Sequence, residues 1–297
     1  YGDSALSTSV IKLTKLNKFI YFDSKEGLLH CESGVSLGEI LEAYVQKGWF
    51  LFVTPGTKFV TLGGAIASDV HGKNHHIEGS FCDYVVSITL FVSGDFIDCT
   101  REVNADLFYA TCGGMGLTGI IIDATFKLRS IKSAYINQKK IKAKNLEGLL
   151  NLFDRHAAYT YSVAWIDCMS KRNNLGRSIL MLGEHSTEGD LKTHQKNKLS
   201  IPFNMPSLLI NKYLIKAFNY LYANKQLKNE VNSFIHYGSF FYPLDGINNW
   251  NRIYGTKGFT QYQFVIPHKY GKDGIAEILE AVSQSNHASF LAVLKVF

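Results

Sequence analysis

The sequence predicts an α+β protein of two domains, and three observations carry that expectation. Short apolar segments with an alternating pattern, bounded by glycine turns, recur in both halves of the chain, which is the period of half-buried strands. Separate amphipathic patterns of helical period lie at 36–49 and 271–286. The character of the chain changes near Ile131, beyond which Lys132, Lys139, Lys140, Lys142 and Lys144 cluster. With 297 residues, 46% hydrophobic and 19% charged, the chain can bury one large core or two modest ones. A first domain over 1–132 and a second over 133–297 are expected.

In the first half, FIYFDSKEGLLHCESG at 19–34 alternates around a glycine turn, as the two strands of a hairpin do. SLGEILEAYVQKGW follows as a helix. Ser36 can cap it, Glu39 completes a capping box, and Leu37, Ile40, Leu41 and Tyr44 share one face. VVSITLFVSGDFIDC predicts a hairpin turning at Gly94 and Asp95. NADLFYATCGG reads as a short helix ending in glycine, and LTGIIIDATFKLRSI as a strand.

In the second half, a helix begins around Asn145, and YTYSVAWIDCM, SILMLGEH, SFFYPLD and TQYQFVIP are expected to be antiparallel strands. GKDGIAEILEAVSQSN places Ile275, Ile278, Leu279 and Val282 on one helical face that would lie across that sheet. Residues 196–230 admit two readings. One is a core helix with a solvated lysine face; the other is a mobile basic, apolar flap over a lipid-linked substrate or a membrane surface.

The net charge of +6 suits an anionic partner, such as a phosphate-bearing ligand or a membrane surface, as well as an ordinary solvated lysine surface; no nucleic-acid partner is expected. Cys31, Cys82, Cys99, Cys112 and Cys168 form no CxxC, so reduced thiols in a cytoplasmic setting are expected. No apolar run has the length of a membrane span and no leader pattern opens the chain, so a soluble protein, or one peripheral at the inner membrane, is expected.

The most informative stretch is PGTKFVTLGGAIASDVHGKNHHIEGSF at 55–81, which gathers glycines and three histidines among small and apolar residues. Glycines let a backbone approach a ligand where a Cβ would clash, and successive N–H groups in such turns form a nest for a diphosphate. The stretch resembles the flavin-binding segment of the decaprenylphosphoryl-β-D-ribose oxidase family, which belongs to the vanillyl-alcohol-oxidase-like FAD enzymes. The family pattern GGAIACDIHGKNHHxxGSF is met with two departures, Ser68 and Val70.

The resemblance implies a PCMH-type FAD-binding domain followed by a substrate domain built on an antiparallel sheet. It implies FAD contacts at Pro55, Gly56, Thr57, Val60, Gly63, Gly64, Ala65, Ser68, His71 and Gly72. The opening YGDSALS resembles the tail of the family's first phosphate loop and adds Tyr1, Gly2, Asp3 and Ser4, with Ala5 alongside. Both ends therefore look cut, with further family segments expected outside the sequence.

GMGLTG at 114–119 satisfies GxGxxG, but the nicotinamide fingerprint needs a strand before it and a helix after it. Here the predicted order is reversed. In the resembling family this segment lies beside the flavin, which makes Gly116, Gly119 and Ile121 cofactor candidates. His71 and His75 have the spacing of zinc ligands on a helix, yet only Glu78 and Cys82 are near in sequence to complete a set, so no metal is expected.

By the same resemblance His71 and Lys73 lie in the active site, with Lys73 suited to attract a phosphodiester. YGTKGFTQYQFVIP carries over Gln261 and Gln263 as substrate residues on one face of a strand, and FLAVLKVF carries over Lys295, also a catalytic candidate, and Phe297. Trp165 is implied as a pocket wall. Phe241 stands where the family pattern has a pocket tyrosine, and Ala292 where it has an asparagine.

The implied activity is FAD-dependent oxidation of a sugar hydroxyl, the 2′-hydroxyl of a polyprenyl-phosphoryl-β-D-ribose, as the first half of an epimerisation that a nicotinamide-dependent short-chain reductase completes. The alternatives are an aldonolactone or alditol oxidase, to which HGKNHH is a poor match, and a flavin-binding module without catalysis.

Overall fold

The computed structural model describes residues 10–193, 199–206, 210–285 and 289–297. Tyr1, Gly2, Asp3 and Ser4 lie outside the described residues, as do 194–198 and 207–209 of the segment read as helix or flap. The chain divides into two compact units. One comprises Tyr1–Tyr135, His185–Gln195 and His236–Pro243; the other comprises Ile136–Glu184, Lys196–Ile235 and Leu244–Phe297.

The first unit opens with the hairpin β1 (Phe19–Asp23) and β2 (Leu28–Glu32), closed by Gly27 at φ 69°. A Cβ at Gly27 would stand 2.5 Å from the Trp49 ring and 2.7 Å from the Leu128 carbonyl, so the turn tolerates no side chain. Helix α1 (Leu37–Tyr44) has the expected capping box. Ser36 accepts from the Glu39 N–H, Glu39 accepts from the Ser36 N–H, and Leu37, Ile40, Leu41 and Tyr44 are the buried face.

Then follow β3 (Trp49–Leu51), α2 (Leu62–Ala67), the four-residue α3 (His75–Glu78), β4 (Val85–Val92), β5 (Asp95–Thr100), α4 (Ala105–Thr111) and β6 (Ile120–Ser130). The sheet runs β1-β2-β6-β4-β5, with β3 also paired to β6. The β4–β5 turn is Ser93-Gly94 rather than Gly94-Asp95. Val92 pairs with Asp95, and Ser93 and Gly94 take φ 53° and 102°, the left-handed pair that suits a two-residue hairpin.

The second unit carries β7 (Tyr135–Ala143, its first residue in the first unit), α5 (Leu146–Arg155), β8 (Tyr161–Ile166), β9 (Ser178–His185, ending in the first unit) and α6 (Lys212–Asn224). The chain continues through β10 (Glu230–His236), the first-unit helix α7 (Tyr237–Phe241), α8 (His268–Gln284) and β11 (Val293–Leu294). The sheet order is β10-β7-β9-β8-β11. Leu149 and Phe153 of α5 and Leu279 of α8 pack with Ala164, Ile166, Leu180 and Leu182 of the sheet, and Ile275 and Val282 border that core.

Two expected strands are absent. SFFYPLD forms α7 and a 3-10 turn, because the His236 ring accepts from the Gly238 N–H as an N-cap and Tyr237, Phe240 and Phe241 are all buried. Such an all-apolar run does not separate strand from helix by period. TQYQFVIP takes no regular structure and its residues 260–265 are exposed. A strand needs a neighbour for its main-chain groups, and no named strand pairs with this segment among the described residues.

Conversely, the lysine cluster beyond Ile131 lies largely on β7, a strand the sequence analysis did not anticipate. It buries Ile136, Gln138, Ile141 and Ala143, while Lys139 pairs with Glu230 at 2.7 Å. Within 196–230, α6 is a capped helix. Asn211 accepts from the N–H groups of Tyr213 and Leu214, and Ile215, Asn219 and Ala223 form its buried stripe.

Candidate functional site

In the first unit the two glycine-rich segments come together. Helix α2 starts at Thr61, whose hydroxyl accepts from the Gly64 N–H at 3.2 Å. The Gly63 N–H donates to the Ser33 carbonyl and the Leu62 N–H to the Val35 carbonyl, so the helix start is fastened beside the end of β2. At the other end, Gly113 donates to the Ile66 carbonyl at 3.0 Å and Met115 to the Ala67 carbonyl at 2.7 Å. The 114–119 turn is thus held on the last residues of α2. Helix α4 precedes it and strand β6 follows, the reverse of a dinucleotide-binding βα unit.

The candidate cofactor residues divide by what surrounds them. Gly56, Gly64, Ser68 and Gly116 are exposed, and a Cβ on Gly56 or Gly116 would meet nothing within 4 Å. Gly116 also requires its φ of 75°. Gly63, Gly72 and Gly119 answer to their own chain. A Cβ would reach Ser33 at 3.0 Å, the Asn74 side chain at 2.4 Å and Val92 at 2.6 Å respectively. Ala65 and Ile121 have core side chains, so what either can offer a ligand is main chain. Pro55, Thr57 and Val60 are half-buried, with the Thr57 hydroxyl accepting from the Phe59 N–H and the Val60 carbonyl accepting from the Leu37 N–H.

The HGKNHH loop leaves and returns through Asp69, which accepts from the Ser80 hydroxyl and from the Cys82 N–H, both at 2.9 Å. His71 bridges to Ser80 and meets the His75 ring edge-on at 5.7 Å. Asn74 is buried and donates to the Phe52 carbonyl at 2.8 Å and to Glu78, which also pairs with Arg129. Lys73 is directed to main chain: its ammonium donates to the carbonyls of Phe240 at 2.5 Å and Phe241 at 3.2 Å, and lies over both rings. Phe241 is itself enclosed, beside Phe50 and His185. The hydroxyl near it belongs to Tyr242, which bonds Thr54 at 2.5 Å. Burial, followed by the Arg129 charge, pushes the His185 imidazole down to about 3.

In the second unit Trp165 is a core residue rather than an open wall. Its Nε1–H donates to the Phe290 carbonyl at 3.0 Å and its ring packs on Tyr222. It pairs with Val293 across β8 and β11, which sets Lys295 two residues further along the same edge. Lys295 is half-buried, and desolvation pulls its ammonium down from 10.5 to about 8. Phe297 is exposed. Gln261 and Gln263 lie on the exposed irregular segment before α8, so the shared strand face expected of them does not exist. Among the described residues no group of three or more His, Cys, Asp or Glu side chains could hold a metal ion.

A family model described as an FAD binding domain matches residues 1–99. Decaprenylphosphoryl-beta-D-ribose oxidase of Mycolicibacterium smegmatis is 35% identical over 314 aligned positions, which take in 100% of this chain and 67% of that protein. The chain belongs to the decaprenylphosphoryl-β-D-ribose oxidase family. As a member of that family it is an FAD-dependent oxidoreductase of PCMH type. More distant matches cover only part of the chain. Delta(24)-sterol reductase of Mus musculus is 27% identical over 49% of this chain and 28% of its own length, and L-gulonolactone oxidase of Scyliorhinus torazame is 28% identical over 40% and 27%.

The residues present fit FAD. Gly56, Gly64, Ser68 and Gly116 are small and exposed, and at Gly56 and Gly116 the space a Cβ would take is open, as close approach of a diphosphate or ring to main chain requires. Residues that sequence reasoning passed over are the supports: Asn74, Glu78 and Arg129 under the histidine loop, and Thr54 with Tyr242. Asn74 was visible inside HGKNHH. Nothing local signalled the partners of Arg129 or Tyr242.

Proposed function

We propose that this chain oxidises a secondary hydroxyl of a sugar, the 2′-hydroxyl of a polyprenyl-phosphoryl-β-D-ribose, giving the 2′-ketone as the first half of an epimerisation. The observation that carries this reading is the match, along the whole of this chain and 67% of the relative, to a protein whose name states the decaprenylphosphoryl-ribose substrate, where the lactone oxidase aligns with 40% of the chain. Bound FAD supplies the hydride acceptor.

The chain's own residues position the reactants. Gly56, Gly64, Ser68 and Gly116 receive the cofactor. Lys73 acts by holding the carbonyls of Phe240 and Phe241, while His71 borders the cofactor. Lys295 acts on the substrate as an ammonium, donating to its phosphate or to the reacting hydroxyl, and burial lowers its proton affinity before the substrate is bound. Gln261, Gln263 and Phe297 contribute sugar and lipid contacts.

Helix α6 supports a peripheral contact with the membrane that would carry such a lipid. It presents Lys212 and Lys216 together with exposed Tyr213, Leu214 and Leu221. No helix among the described residues is long and apolar enough to cross a membrane. A nicotinamide-dependent short-chain reductase would consume the ketone.

The test is anaerobic mixing of the flavin-loaded protein with a polyprenyl-phosphoryl ribose and, separately, with an aldonolactone, following the visible flavin absorbance. Bleaching by the lipid-linked sugar alone is the expected outcome. Bleaching by the lactone alone would replace this reading with the aldonolactone one.

A further inference from the structure

Beside the flavin-side junction, a cavity of about 230 Å³ in the first unit is lined by Asp69, Ser80, Cys82, Arg101, Phe108 and Cys112, with Asp83 and Tyr109 completing its wall. Two of the five cysteines meet there, although they lie thirty positions apart in sequence with β4, β5 and α4 between them. Both side chains line this one cavity, and their segments meet at the Ile66 carbonyl, which the Cys82 thiol reaches at 3.6 Å and the Gly113 N–H, next to Cys112, at 3.0 Å. Cys82 is buried; Cys112 is half-buried at the end of α4. The Arg101 guanidinium closes the site, donating to the Cys82 carbonyl at 2.7 Å and lying over the rings of Phe108 and Tyr109.

We propose that Cys82 and Cys112 form an oxidisable dithiol, a modification site at which a peroxide converts the pair into a reversible disulfide. Cys112 is the attacking sulfur. It is the half-buried sulfur of the pair, whereas Cys82 is buried; the neighbouring Cys82 thiol and the Arg101 charge favour its thiolate against its own partial burial, and the neighbouring Cys112 thiol and burial hold Cys82 protonated. Asp69 and Asp83 oppose the thiolate on both sulfurs or on Cys112, so Arg101 is the cation that offsets them.

The Cys112 thiolate attacks one peroxide oxygen, breaking the O–O bond; the sulfur becomes a sulfenic acid and the second oxygen leaves as water after taking a proton. The Cys82 sulfur then attacks the sulfenic sulfur, its proton leaving with the hydroxyl as a second water. Two thiols and one hydrogen peroxide give one disulfide and two waters. The remaining cysteines are poor competitors: Cys31, Cys99 and Cys168 are buried, and burial is the largest cause raising each thiol, in Cys31 to about 12.

The bond would fasten the end of α4, just before the 113–116 turn, to the strand-ward exit of the histidine loop. Both already meet at the Ile66 carbonyl, through the Gly113 N–H and the Cys82 thiol.

The experiment treats the full chain, flavin-loaded, with hydrogen peroxide and maps it under non-reducing conditions with chymotrypsin, whose sites at Tyr84, Phe91 and Phe96 separate Cys82 from Cys99. A linked Cys82–Cys112 peptide that disappears on dithiothreitol treatment is expected, with Cys31, Cys99 and Cys168 still reduced. In Cys82→Ser, Cys112 should stop at the sulfenic acid and be captured by dimedone. Thiol loss spread evenly over the five cysteines, or irreversible oxidation of Cys112 in the unsubstituted protein without a linked peptide, would overturn the proposal. The mapping of the unsubstituted chain decides the matter if the variant does not fold.

Discussion

The N–H of Met115 donates to the carbonyl of Ala67 at 2.7 Å, a bond between the two glycine-rich segments of the flavin domain. Because Gly113 also holds the carbonyl of Ile66, the 113–116 turn continues the end of α2, and Gly116 stands in open space beside it.

Gly56 and Gly63 should respond differently to the same substitution. Gly56→Val adds a side chain where nothing lies within 4 Å, so the apo protein should keep its stability within about 0.5 kcal/mol while retaining much less flavin. Gly63→Val pushes a Cβ against Ser33 and should cost about 1–3 kcal/mol in folding. Flavin-to-protein absorbance ratios and apo melting curves read the two effects separately. Full flavin retention in Gly56→Val would show that Gly56 does not receive the cofactor.

Lys73→Met removes two charge-assisted hydrogen bonds to the carbonyls of Phe240 and Phe241 and should destabilise the protein by about 1.5–3 kcal/mol. Thermal melting of the apo form measures it. Unchanged melting with a weakened response to phosphorylated substrate would mean that the ammonium serves substrate instead.

Lys295 gives a pH signature of known sign. Its folded value of about 8 lies below its ordinary 10.5, so at pH 7 the buried charge costs stability, and the cost fades as pH rises from 8 to 10.5. Lys295→Met should therefore be more stable at pH 7, by about 1–3 kcal/mol, with the advantage gone above pH 10.5. Flavin reduction by a phosphorylated sugar should slow by about ten- to a hundredfold in the same variant. Denaturant melts across pH and anaerobic stopped-flow test both halves, and a rate equal to the unsubstituted protein would remove Lys295 from the site.

His185 works in the acid range. With a folded value of about 3 against an ordinary 6.5, it binds its proton more readily unfolded, so stability present above pH 6.5 is lost as pH falls towards 3. His185→Leu should flatten that part of the pH profile by on the order of 3–4 kcal/mol, measured as the difference between urea midpoints at pH 7 and pH 4. Parallel profiles for the two proteins would contradict the assignment.

What could be read without coordinates was mostly local. The Ser36–Glu39 box, the buried face of α1, the start of α5 at Asn145 and the apolar face of α8 depend on residues within a few positions of one another. The β4–β5 turn was misplaced by one residue because Ser93 accepts φ 53°, a conformation that glycine usually signals. The strand expected at 239–245 failed because a histidine, rather than Ser, Thr, Asp or Asn, caps α7.

The sequence by itself determined the flavin class, through one long run of motif, and the capped or alternating elements, whose free energies come from neighbours along the chain. Only the tertiary structure decided what the long polar side chains do. Lys73 could equally have met a phosphate, yet its ammonium is held by Phe240 and Phe241, and Cys82 finds Cys112 across β4, β5 and α4. A flexible side chain has many partners of similar energy in water. Which one it takes is settled when burial removes the solvent that would otherwise serve as well.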